Sequence, residues 1–318
     1  MQRLEDIGFY TLSDERAANT SVSSPLHRCE LILTHACNFK CPYCRGLRED
    51  LQGTLPLEKA KEVVRLWISQ GLRNVRFSGG EPLLYKGLDT LVAMCKEGGV
   101  EHIAISSNGS FPHERYVELI ECGVNDLSIS LDGCCATIGD KMTGVPGAWD
   151  TVIDNIRRLS KITYITVGMV FTEENVHDCV NAVLFADALG VSDIRVIPSA
   201  QYNLALAQLA SLGDRILDKY PILRYRINNV LRGAHVRGME DTDNSRCPLV
   251  LDDMAVAKGY HFPCIIYMRE MGDPIGKVGP NMRQERAEWL ENHDCQKDTI
   301  CKKMCLDVCR DYNNRCPK

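Results

Sequence analysis

No run of apolar residues in this 318-residue chain approaches the roughly 20 that a membrane-crossing helix needs. The N-terminus, Met1-Gln2-Arg3-Leu4-Glu5-Asp6, lacks the apolar stretch of a secretory signal, so a cytoplasmic protein is expected. An excess of positive charge is missing too. With a formal net charge of −5, the chain has no electrostatic footprint for sequence-independent binding of nucleic acid or an anionic membrane, and neither is an expected partner. Cysteine, by contrast, is abundant: there are sixteen. In a large chain without a secretory signal, clustered thiols are more often metal ligands than disulfide partners. Three lie near the N-terminus, seven follow residue 246 and six are scattered. A chain that is 45% hydrophobic and 25% charged has ample length for one large core and a smaller appendage.

The first cysteines form the run Cys37-Asn38-Phe39-Lys40-Cys41-Pro42-Tyr43-Cys44, just after the apolar segment Glu30–Thr34. Three thiolates this close on one loop can wrap a corner of an iron–sulfur cube and, a fourth being the usual complement, leave one iron open. Zinc is the alternative, but zinc knuckles usually show two cysteine or histidine pairs. The spacing, with the aromatic Tyr43 before the third cysteine, resembles that of the radical S-adenosylmethionine (SAM) superfamily. This resemblance implies a 4Fe–4S cluster at Cys37, Cys41 and Cys44. It also implies SAM chelated at the open iron, reductive cleavage to a 5′-deoxyadenosyl radical, and a reductant partner such as flavodoxin or ferredoxin.

From Cys29 onward the chain alternates by type. Apolar, β-branched runs at Glu30–Thr34, Asn74–Ser78, His102–Ser107, Asp126–Leu131, Tyr164–Phe171 and Asp193–Ile197 predict strands. Helical periodicity fills the intervals at Leu57–Gln70, Leu88–Lys96, His113–Glu121, Ala148–Leu159 and Asn175–Leu189. Such alternation predicts an α/β fold with a parallel sheet. Six units are too few for an eight-fold barrel and fit the open partial (β/α)6 barrel that the resemblance implies. The expected layout is an N-terminal arm at 1–27, a radical SAM barrel at 28–200, a connector at 201–240 with a helix over Tyr202–Tyr220, and a small cysteine-rich cluster-binding domain at 241–318.

In such folds chemistry gathers at the carboxyl ends of the strands. Gly79-Gly80-Glu81-Pro82 follows the second run directly; paired glycines let backbone approach a ligand, although both dipeptides also suit a plain turn. The segment resembles the family's GGEP motif, which binds the methionyl ammonium of SAM. By the same resemblance Tyr43, Asn108, Ser130 and Asp132 are candidate SAM contacts, against the ordinary use of Asn-Gly and Asp-Gly in turns. Many relatives contact the SAM carboxylate through an arginine where this chain has Thr143, which leaves Lys141 or Arg195 for that task.

The second cysteine field reads Cys247-x11-Gly259-x4-Cys264, then Cys295-x5-Cys301-x3-Cys305, Cys309 and Cys316. It resembles the SPASM domain, a C-terminal extension that carries auxiliary iron–sulfur clusters, except that the cysteine expected three residues before Cys295 is Asn292. The resemblance implies one or two auxiliary 4Fe–4S clusters, with Cys247, Cys264 and Cys305 serving one, and Cys295 and Cys301 with Cys316 or Cys309 the other. A zinc-stapled tail is the alternative. Of the scattered thiols, Cys29, Cys95, Cys122 and Cys179 suit core positions. Cys134 and Cys135 follow Asp132-Gly133 and are candidate catalytic hydrogen-atom donors to a substrate radical.

SPASM relatives mostly act on peptides or proteins, so the leading expectation is a radical SAM oxidoreductase or maturase that abstracts hydrogen from a peptidyl residue. The alternative is an enzyme modifying a small molecule such as a sugar, nucleotide or cofactor precursor. The Asp-Lys-Met-Thr-Gly segment is similar to the molybdenum-cofactor cyclase family, but that family's C-x2-C-x13-C spacing and terminal Gly-Gly are missing. A pure electron carrier would have no need of the Gly79-Gly80-Glu81 segment.

Overall fold

The computed structural model describes residues 15–199 and 202–316. The first fourteen residues of the expected arm, residues 200–201 at the barrel–connector boundary, and 317–318 lie outside it. The chain divides into two compact units, one formed within Met1–Ala36, Gly46–Ile103 and Arg237–Lys318, the other by Cys37–Arg45 and Ala104–Val236. These units cut across the layout read from the sequence, since 237–318 shares a unit with 46–103.

In the first unit, strand β1 (Arg28–Thr34) pairs in parallel with β2 (Asn74–Gly79), Leu31 opposite Phe77. On its other side β1 pairs in parallel with β7 (Asp253–Ala257), Leu31 opposite Val256. A hairpin links β7 to β8 (Tyr260–Phe262), and β8 pairs with the two-residue β9 (Gly276–Lys277). The hairpin turn is Lys258-Gly259, with φ of +51° and +82°, the primed geometry that favours glycine. Helix α1 (Leu57–Ser69) buries Ala60, Val63, Val64 and Trp67, an i, i+3, i+4, i+7 stripe. Trp67 donates its indole N–H to Met254 Sδ at 3.3 Å. Helix α2 (Leu88–Glu97) packs beside α1, burying Leu88, Leu91, Val92 and Cys95.

In the second unit, β3 (His102–Ser107), β4 (Asp126–Ser130), β5 (Tyr164–Phe171) and β6 (Asp193–Pro198) pair in parallel from Ala104 onward. Helices α3 (His113–Cys122), α4 (Ala136–Thr143), α5 (Ala148–Leu159) and α6 (Cys179–Ala188) fill the crossovers, followed by α7 (Leu204–Leu209), α8 (Asp214–Lys219) and α9 (Pro221–Leu231). The first unit's tail adds α10 (Ile265–Arg269), α11 (Met282–Asn292), α12 (Thr299–Met304) and α13 (Asp307–Arg315). The fold is the α/β, mostly parallel, unclosed sheet expected from the alternation. Among the described residues no helix is long and apolar enough to cross a membrane.

Two expectations change. The helix expected over Tyr202–Tyr220 is two, broken at 211–213, because Gly213 takes an extended conformation as the N-cap of α8. Asn175 does not start a helix: its side chain donates to Asp132 O and Val170 O, and α6 begins only at Cys179, after a 3-10 turn. Within the expected connector, Pro221 is the first residue of α9, the helical position where its missing N–H costs nothing.

Candidate functional site

The loop 37–45 belongs to the second unit and is held there by side chains from the ends of its strands. Asn108, just after β3, donates to Asn38 Oδ1 at 2.8 Å and to Cys37 Sγ at 3.8 Å. Asn38 in turn donates to Ser110 Oγ at 2.8 Å, and the Lys40 N–H to Thr143 O at 2.9 Å. Tyr43 donates its hydroxyl to Asp132 Oδ2 at 2.5 Å, while the Val170 N–H donates to Oδ1 at 2.7 Å. Asn108 and Asp132, expected as SAM contacts, therefore spend polar atoms on fixing the cysteine loop. Ser130 is exposed at the end of β4.

Cys37 and Cys44 are exposed and Cys41 is half-buried. Burial, then the nearby Asp132, Cys44 and Cys37, pushes the Cys41 thiol up to about 12. A sulfur so reluctant to ionise alone is one that a bound cation would hold as thiolate. The Phe39 N–H and Asn108 amide also point at Cys37 Sγ. Three sulfurs on one turn, with N–H donors directed at one of them, fit the cysteine side of an iron–sulfur cluster.

In the first unit, Gly79 and Gly80 bring the end of β2 against the exit of β1. A Cβ on Gly79 would lie 2.4 Å from Thr34 O, and one on Gly80 would lie 2.2 Å from Ala36 O. The Gly80 and Glu81 N–H groups donate to Thr34 O and Ala36 O at 2.7 and 2.8 Å. Glu81 is buried and caps the turn Pro82–Leu84 by accepting from the Leu83 N–H. Arg269, from α10, donates to Gly79 O at 3.3 Å and Gly46 O at 2.8 Å; nothing in the sequence singled it out.

The tail gathers Cys247, Cys264, Cys295, Cys301, Cys305 and Cys309 around one cavity. The Lys258-Gly259 hairpin folds the chain back between Cys247 and Cys264, which is why glycine stands at that offset. Cys316 does not line the cavity; it is buried with Ala17, Leu249 and Tyr312. Burial drives Cys305 and Cys309 well above the ordinary thiol range, each also facing further cysteines. This too suits thiols meant for metal. Among the described residues, the group of three or more metal-ligating side chains whose ligand atoms all lie within 4.8 Å is His293, Cys295 and Cys301. The histidine was not foreseen.

Cys134 and Cys135 precede α4, Cys135 as its N-cap. The Cys134 N–H donates to Asp178 Oδ2 at 3.3 Å, and burial raises its thiol to about 12, so it stays protonated. Lys141 pairs with Glu174, and Arg195 with Asp193 at 3.0 Å.

Residues 31–186 match the model of the Radical SAM superfamily. The chain is similar to the probable GTP 3′,8-cyclase of Sulfurisphaera tokodaii, 28% identical over 217 residues that cover 63% of this chain and 69% of that protein. It is also similar to the PqqA peptide cyclase of Rhodopseudomonas palustris, 32% identical over 185 residues, covering 57% of this chain and 49% of that protein. In structure it is similar to Streptococcus suis SuiB bound to precursor peptide SuiA, with a TM-score of 0.60, 16% identity, and 91% of this chain and 76% of that one covered. The matched segment contains the three-cysteine loop and the strands that hold it, and the chain carries a radical SAM domain.

Proposed function

We propose that this enzyme abstracts hydrogen from a peptidyl residue, with Cys37, Cys41 and Cys44 as ligands of the SAM-binding cluster and the C-terminal cysteines as a SPASM-type auxiliary cluster region. The observation that carries this reading is the tail: six cysteines around one cavity, two of them placed by a glycine hairpin. Bound at the opening triad, a 4Fe–4S cluster with SAM supplies reductive cleavage and hydrogen abstraction. The protein's own part is placement. Tyr43–Asp132 and Asn108–Asn38 fix the loop, while Gly79 to Pro82 would hold the methionyl ammonium and Ser130 would bind the ribose. Cys134 would be the hydrogen donor that closes the cycle: its S–H hydrogen would pass to the substrate radical, and an electron from the reductant with a proton from water would restore the thiol.

The peptide-bound SuiB structure and the PqqA peptide cyclase support a peptide substrate. The GTP 3′,8-cyclase similarity favours a second reading, a nucleotide. Anaerobic reconstitution with dithionite, SAM and either the product of any short reading frame found beside this one or GTP separates the two. A peptide that takes up one deuterium in deuterated water, formed with stoichiometric 5′-deoxyadenosine, supports the first. Deoxyadenosine stimulated by GTP alone overturns it in favour of the second.

A further inference from the structure

The tail lacks the thiolate that the cluster spacing expects at position 292. Asn292 does not replace it, because its side-chain amide turns back along α11 to donate to Glu288 O at 2.8 Å. The next residue is placed differently. His293 lies just past the helix in an extended conformation, with Nε2 at 4.0 Å from Cys301 Sγ and within 4.8 Å of Cys295 Sγ.

The ring is held before any metal arrives. It stacks on Trp289 at 4.0 Å and 16°, and meets Tyr267 edge-on at 6.1 Å and 84°. Its backbone is tied at both ends, the N–H donating to Trp289 O and the carbonyl accepting from Arg246 Nη1, each at 2.8 Å. Asp298 stands 3.6 Å from Nε2, accepts from the Tyr267 hydroxyl, and caps α12 through the N–H groups of Ile300 and Cys301. An imidazole with a fixed ring and two thiols within reach is set to give its nitrogen to a metal that those thiols share.

We propose that His293 is a ligand of the auxiliary iron–sulfur cluster held by Cys295 and Cys301, in place of the thiolate missing at 292. This rests on the cluster-binding reading of the tail. A neutral imidazole in place of a thiolate removes one negative charge from the ligand set, so this cluster has a higher potential than an all-cysteine equivalent.

The test uses the full chain carrying Cys37→Ala, Cys41→Ala and Cys44→Ala, so that iron reports only the tail. It is reconstituted with 57Fe and sulfide after growth on 15N-histidine. Pulsed EPR of the reduced protein is expected to show a directly bound histidine nitrogen that disappears in His293→Ala and His293→Cys. His293→Cys keeps the iron at a lower midpoint potential, and His293→Ala loses iron to a chelator several-fold faster. Iron and labile sulfide retained without nitrogen coupling, and unchanged by His293→Ala, overturn the proposal while leaving the tail clusters standing. A tail without iron and sulfide overturns both. If the triple variant does not fold, the His293 substitutions in the chain with its triad intact, read as Mössbauer and pulsed-EPR differences, decide the same question.

Discussion

Tyr43 sits between Cys41 and Cys44 in sequence, yet its hydroxyl is spent on Asp132, so the loop's geometry depends on a carboxylate 89 residues away. Burial raises Asp132 from 3.8 to about 6, against the lowering effect of its two hydrogen bonds. Between those values the folded protein binds more protons than the unfolded chain. The associated stability is full below pH 3.8 and lost as pH rises through about 6. Asp132→Asn, which keeps the shape, should flatten that fall, and a pH series of urea denaturations against wild type should show a difference of about 2–3 kcal/mol across the window. Tyr43→Phe removes a donor to a buried carboxylate and should cost about 2 kcal/mol, with slower cluster reconstitution. Cys41→Ala should abolish SAM cleavage with far-ultraviolet circular dichroism unchanged. Deoxyadenosine formation by that variant at the wild-type rate would remove the triad from the mechanism. The cysteines and Gly79-Gly80-Glu81-Pro82 were legible because their spacing is local. Asn108 and Asp132 were read as candidate SAM contacts, and their part as loop anchors was not legible. His293 and Arg269 carried no signal, since each matters only through neighbours that the fold supplies.

The elements were read well where periodicity was strong. β3, β5 and α5 fall at the expected residues, because apolar alternation or an i, i+3, i+4 stripe determines what must be buried. The short elements α7, α8 and α10 were not resolved, as five or six residues hold too little of a period. At this scale the tightest approach of glycine to backbone is where the exits of the parallel strands β1 and β2 meet. Gly80→Ala places a methyl 2.2 Å from Ala36 O, which backbone movement alone can relieve. It should cost about 3 kcal/mol or more, seen as a lowered melting temperature. Arg286, fully buried on α11, donates to the carbonyls of Val250, Asp253, Phe262 and Pro263. Arg286→Met strands those acceptors at about 1–3 kcal/mol each, so hydrogen exchange should show β7, β8 and α11 opening together.

At the scale of the molecule, the two compact units are woven from alternating stretches of one chain, which no local pattern announces. The cysteine-rich tail was evident from its spacing, but its sharing a unit with β1 was not, because a parallel pairing across more than 220 residues leaves no mark in either partner. A chain ended at residue 240 should be insoluble, and sedimentation of the truncated protein checks this. The pairing of β1 with β7, Arg28 opposite Asp253, also sets an order of events during synthesis. The strand leading into the first cysteine loop is made early, yet one of its two edges stays open until residue 257 has left the ribosome. Until then the first unit carries an open strand edge, so its sheet is completed late in synthesis.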